Sequence, residues 1–148
     1  KRYPEDTLVQ FNFLPTLRAQ LAVNQAKAPE AIDTLRAVAS PSELGQSTFS
    51  TYAWSALYPI FVRGQAHLAA HEGSEAAAEF QKIIDHRGII SNQPIGALAH
   101  LGLARAYAQQ GDTAKAKQTY QNFLELWKDA DSDTPILKGA KAEYAKLR

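Results

Sequence analysis

Five positions recur three times along this chain at constant offsets, and that repetition limits its fold more than any other feature. Ala19, Ala22, Ala31, Leu35 and Val38 stand 45 positions before Gly64, His67, Ala76, Phe80 and Ile83. These in turn stand 40 positions before Ala104, Tyr107, Ala116, Tyr120 and Phe123. Within each set the spacing is 3, 9, 4 and 3. Small residues in the first half let two helices approach, and bulky ones in the second half fill the space toward the next unit. Gly64 or Ala104 is expected to meet the small residue Ala76 or Ala116, with Phe80 or Tyr120 packing one turn later. A helix pair of this kind cannot bury its apolar faces by itself, and about three stacked pairs make a continuous core.

Local signals agree with helix. Apolar residues recur at helical spacing in the series Leu14, Leu17, Leu21, then Ile32, Leu35, Val38, then Leu101, Leu103, Tyr107. No segment alternates apolar and polar residues as a strand would. Pro15, Pro29, Pro59, Pro94 and Pro135 head Ala/Leu-rich runs, where the missing N–H has no helical partner to lose. Asp112-Thr113 and Asp133-Thr134 offer capping oxygens, and Gly73-Ser74 separates two helices. Helices are expected over 15–27, 29–39, 53–71, 74–86, 94–110, 113–128 and 134–147. A further turn or two is expected within 5–14, and loops over 40–52 and 87–93. The expected class is all-α.

The stretch Leu103-Ala104-x-x-Tyr107-x-x-x-Gly111-Asp112-x-x-x-Ala116-x-x-x-Tyr120 resembles the tetratricopeptide repeat (TPR), a helix–turn–helix unit of about 34 residues. The resemblance implies an α-solenoid of three units over residues 12–45, 57–90 and 97–130, closed by a capping helix at 134–147, in a single domain 1–148. Leu14-Pro15-Thr16, Tyr58-Pro59-x-Phe61-Val62-Arg63-Gly64, Glu79-Phe80-Gln81-Lys82-Ile83 and Leu126-Trp127-Lys128-Asp129-Ala130-Asp131 are more narrowly similar to the C-terminal repeat regions of large bacterial signalling proteins, such as eukaryotic-like serine/threonine kinases. No glycine-rich phosphate loop, His-Arg-Asp or Asp-Phe-Gly is present, so kinase catalysis would have to lie upstream. A chain of 148 residues that starts at Lys1 and has no Met is expected to be a piece of a longer protein, cytoplasmic unless the parent spans a membrane.

Charge and motif content narrow the function classes. With 16 Lys+Arg against 15 Asp+Glu, the net charge of +1 gives no electrostatic case for nucleic acid or an anionic membrane. The cations Lys115, Lys117, Lys138, Lys141, Lys146 and Arg148 are interleaved with acids. No cysteine is available for disulfides, thiolate zinc sites or nucleophilic catalysis. His67 and His71 have metal-ligand spacing beside Glu72 but lack an evident third ligand. Asp129, Asp131 and Asp133 alternate like a calcium loop, yet Thr134 and Ala140 stand where that loop needs Gly and Glu. Asp85-His86 reads as a helix end, where a histidine partners the dipole. No catalytic residue, cofactor or metal is expected. The readings are a non-catalytic protein-interaction scaffold, then a self-association module, and more remotely a metal-dependent enzyme.

In stacked helix pairs the first helices line the concave face. Residues one turn apart on them are Phe13, Thr16, Gln20 and Val23, then Tyr58, Phe61, Gln65 and Leu68, then Leu98, Leu101, Arg105 and Ala108. Aromatic and Arg residues are enriched at binding hot spots, which singles out Tyr58, Phe61 and Arg105. Chaperone-binding relatives hold an acidic peptide end with Lys, Asn and Arg. The matching places here carry Thr16, Gln20, Val62, Leu98 and Gly102, so a heat-shock chaperone tail is not the expected ligand. A neutral or apolar peptide segment is.

Overall fold

The computed structural model describes residues 9–36, 38, 57–90 and 93–147. Among these the chain is all-α, with no strand. A π-turn over Val9–Phe13 leads into α1 (Leu14–Asn24) and α2 (Ala28–Arg36). Next come α3 (Tyr58–Ala69) and α4 (Gly73–Asp85), then α5 (Ile95–Gln109), α6 (Thr113–Leu126) and α7 (Pro135–Ala145). The expected loop over 87–93 contains a single helical turn, Arg87–Ile90. The expected loop 40–52 and the expected helix start at residue 53 lie outside the described residues.

Prolines occupy the first two positions of α1, α3 and α7, as their geometry favours. Asp112 caps α6 by accepting the Lys115 N–H at 3.1 Å. The corresponding cap expected at α7 does not form: Thr134 makes no side-chain cap, and Asp133 instead takes the Lys138 ammonium at 2.7 Å.

The three helix pairs α1/α2, α3/α4 and α5/α6 are joined by one and the same turn. The N–H groups of Lys27, Glu72 and Asp112 donate to the carbonyls of Ala22, His67 and Tyr107 at 2.8, 2.9 and 3.0 Å. Those of Ala26, His71 and Gly111 donate to Val23, Leu68 and Ala108 at 3.0, 3.1 and 3.1 Å. This is the Schellman arrangement, which requires a left-handed residue just past the helix. The residues in that conformation are Ala26 (φ 58°), His71 (φ 59°) and Gly111 (φ 78°), again 45 and 40 positions apart. Only the third unit uses the residue without a Cβ penalty.

The repeated positions form the core. Ala31, Ala76 and Ala116, then Leu35, Phe80 and Tyr120, then Val38, Ile83 and Phe123 are each no more than 2 % exposed. Each pair shares its core with the helix that follows. Leu35 and Val38 pack with Val62 and Ala66 of α3, and Phe80 and Ile83 with Ala99, Leu103 and Ala106 of α5. Tyr120 and Phe123 pack with Leu137 and Ala140 of α7. One detail of the expected packing is corrected. The open side of Gly64 faces the Phe80 ring, where a Cβ would lie 2.9 Å from ring atoms, instead of Ala76. A Cβ on Gly102 would come within 2.5 Å of the same ring. Phe80 is therefore held between two helices that both leave out a side chain to admit it. Beside it Arg63 donates to Glu79 at 2.6 Å with both side chains 11 % exposed, and Lys82 reaches the other carboxylate oxygen at 2.7 Å. Removing one member of so buried a pair leaves an uncompensated charge, which costs about 3–5 kcal/mol.

Two outcomes follow. His71→Gly relieves left-handed strain at an exposed position and raises unfolding stability by about 0.5–1 kcal/mol, while Gly111→Ala lowers it by about 1 kcal/mol, both read from urea titrations. Gly102→Ala overpacks the Phe80 ring and costs about 1–3 kcal/mol, and adding Phe80→Leu to the same chain recovers part of the lost melting temperature.

Candidate functional site

Residues at the same register on the three first helices line an open groove of about 610 Å³. Gln20, Gln65 and Arg105 form one row, Val23, Leu68 and Ala108 a second, and Asn24, Ala69 and Gln109 a third. Each row takes one residue from α1, α3 and α5, so the groove repeats with the fold. Tyr120 of α6, Glu143 of α7, Lys146 and Leu147 close the far side.

Of the residues expected on this surface, Gln20, Gln65 and Arg105 are brought together, with Val23, Leu68 and Ala108. Others are placed elsewhere. Leu101 is 2 % exposed and belongs to the core shared with α7, which removes it from the groove. Thr16 is buried and donates its hydroxyl to the Asn12 carbonyl at 2.7 Å, closing the step from π-turn to helix. Phe61 packs edge-on against Phe80, with ring centroids 5.7 Å apart, so it supports the helix stack. Phe13, Tyr58 and Leu98 do not line the groove, although Tyr58 keeps part of its surface exposed.

The groove is polar in a particular way. Gln20 donates to Asn24 at 3.0 Å, and Gln109 reaches across from α5 to the Leu68 carbonyl at 2.9 Å. Gln65 Oε1 is buried and accepts no hydrogen bond from any described residue. An unsatisfied buried acceptor costs about 1–3 kcal/mol.

Arg105 is engaged. Its Nε and Nη2 donate to the two oxygens of Glu143 at 2.8 and 2.9 Å, and the Tyr120 hydroxyl donates to the same carboxylate at 2.8 Å. Burial pushes the Tyr120 hydroxyl above its ordinary pKa, and the carboxylate beside it adds to the rise, so it remains a donor. Partial burial would raise the Glu143 pKa. The hydrogen bonds from Arg105 and Tyr120, with the charges of Arg105 and Lys146, overcome that and hold it below the usual carboxylate range. The Arg105 pKa is raised: burial opposes the charge, but the hydrogen bond and charge of Glu143 prevail.

The other singled-out groups have local partners. His67 Nδ1 lies 2.6 Å from Glu72 Oε2, and His71 is the left-handed turn residue past the end of α3. His86 Nδ1 donates to the Lys82 carbonyl at 2.7 Å, as expected at a helix end. Asp131 accepts the Asp133 N–H at 3.0 Å. Among the described residues no three of His, Cys, Asp and Glu converge as metal ligands. No helix there is long and apolar enough to cross a membrane. A second cavity, about 820 Å³, opens beside the start of α5 between Arg87, Pro94, His100 and Trp127. Burial lowers the pKa of His100 there and favours its neutral form.

No family model matches the chain, and the searches of curated proteins and of solved structures return no match.

Glu143 connects the groove to pH. Its folded pKa lies below the unfolded value, so its contribution is complete above the usual carboxylate range and is lost as pH falls through the folded pKa. Acidification below the usual carboxylate range therefore loosens α7, seen as accelerated amide exchange at Tyr144 and Leu147. In Glu143→Gln that step disappears and α7 exchanges faster already at neutral pH.

Proposed function

We propose that the chain is a TPR-like α-solenoid that works as a non-catalytic scaffold, binding a peptide or partner segment along the groove of α1, α3 and α5. One observation carries the reading: three first helices present residues of equal register on one open surface, in rows of amides beside an apolar strip. An extended peptide offers the complementary pattern, with backbone N–H and C=O groups for Gln20, Gln65 and Gln109 and alternate side chains for Val23, Leu68 and Ala108. The similarity of Tyr58-Pro59-x-Phe61-Val62-Arg63-Gly64 to bacterial signalling proteins extends the proposal to a larger parent, whose enzymatic domain, if it is a kinase, would lie upstream.

The experiment is selection of ligands from a random peptide library on the immobilised chain. Binders enriched on the wild type are expected to lose at least about tenfold in affinity against Ala69→Arg, which fills the groove from an exposed helix end, and several-fold against Gln65→Ala. Helical circular dichroism should be unchanged in both. Binders that tolerate Ala69→Arg would place recognition on another surface and remove the groove from the reading.

A further inference from the structure

One end of the groove is built to hold a carboxylate, and the chain fills it with its own. Arg105 of α5 and Tyr120 of α6 both aim at this place, and Glu143 of α7 occupies it. The donors stand on the core: Tyr120 is 2 % exposed, and Ala104 and Ala106 on either side of Arg105 are fully buried. The Arg105 and Glu143 side chains are 42 % and 36 % exposed, so the pair itself faces the groove. The other two units have no such place. Gln20 and Gln65 stand where the third unit has Arg105, and Leu35 and Phe80 where it has Tyr120. Among the described lining residues Glu143 is the only acid, beside the cations Arg105 and Lys146.

We infer that Glu143 sets the ligand class of the groove, excluding acidic residues from this end and restricting the partner to a segment that carries no acid there. The inference rests on the groove reading and adds the chemistry of its ligand. Specificity is a difference between two affinities, and here the reward for an acid is removed from inside. A ligand carboxylate that displaced Glu143 would gain only the hydrogen bonds that Glu143 gives up, so the exchange yields nothing. The competitor is also tethered. Leu137 and Ala140 hold α7 in the core shared with α5 and α6, which keeps Glu143 at an effective concentration of about millimolar or more. An acid that leaves Glu143 in place meets a like charge instead. Lys146 does not reverse the balance, because it is exposed and its charge is screened by solvent. A ligand without an acid avoids both penalties and meets the amides and aliphatic side chains of the three rows. Removing the Glu143 charge turns this end into an anion site made of Arg105, the Tyr120 hydroxyl and Lys146.

The test selects one random peptide library in parallel on wild type, Glu143→Gln and Glu143→Gln/Arg105→Gln, the last placing at 105 the residue type of the other two units. Asp and Glu are expected at no enriched position on wild type, at one strongly enriched position on Glu143→Gln, and again at none on the double variant. An acidic binder should hold Glu143→Gln at least about tenfold more tightly than its Gln isostere does, against less than about twofold on wild type. This ratio is the readout, because a loosened α7 weakens both peptides alike. Acetate followed at the Arg105 Nε–H resonance is a probe that needs no peptide. A saturable shift is expected in Glu143→Gln and none at the same concentrations in wild type. Four results would overturn the inference: acids enriched on wild type, no enrichment on Glu143→Gln, enrichment that survives Arg105→Gln, or acetate binding no tighter in Glu143→Gln than in wild type. Wild-type binders that tolerate Ala69→Arg would instead remove the groove reading, and the acetate titration would still decide what Glu143 excludes.

Discussion

Phe80 sits where three helices meet, and the geometry of the middle of the molecule depends on how its ring is received. It belongs to α4, yet it leans on Gly64 of α3 and Gly102 of α5, at distances that allow no Cβ on either. The ring thus sets the separation of a helix from its partner and from the helix that follows. Phe61 closes the arrangement edge-on, and the Arg63–Glu79 pair runs alongside it. Close-packed interiors transmit such constraints because a rigid ring cannot be compressed. The spacing of α3 and α5 in turn sets the distance between Gln65 and Arg105, and so the width of the groove.

At the C-terminal end the same register is handled by polar chemistry. Tyr120 stands where Phe80 stands in the preceding unit, and its hydroxyl goes to Glu143 of α7. Arg105 clamps the same carboxylate with two hydrogen bonds. A bidentate Arg–carboxylate contact is among the stronger polar interactions, though partial exposure keeps its net value near about 1 kcal/mol. The groove's single arginine is therefore committed to an internal acid, and the open surface is left mainly to amides and aliphatic side chains.

Much of this architecture was legible in the residues. The offsets of 45 and 40 located the core positions, the three helix pairs and the register of the groove, because a constant spacing of small and bulky residues follows from helix pairs that pack alike. The groove row of Gln20, Gln65 and Arg105 followed from the same offsets. The turn residues Ala26 and His71 were not legible as left-handed: neither has a side chain that signals it, and only their equivalence with Gly111 reveals the pattern. Leu101 and Thr16 were misplaced because helical periodicity says which residues share a face, without saying how far that face is covered by neighbours.

By itself the sequence determined the helices and the buried register, both of which depend on side chains within one helix pair or on its near repetition. Tertiary structure alone decided the fate of each outward face. Arg105 meets Glu143 across 38 positions of chain, a pairing that no local spacing announces. Gly102 reads as an ordinary helical glycine until the Phe80 ring is seen against it. Leu14, Leu17 and Leu21 have the spacing of a core stripe, but burial needs an opposing surface, and among the described residues none reaches Leu17 and Leu21 far enough to cover them. Periodicity is a property of one helix, whereas burial is a property of two.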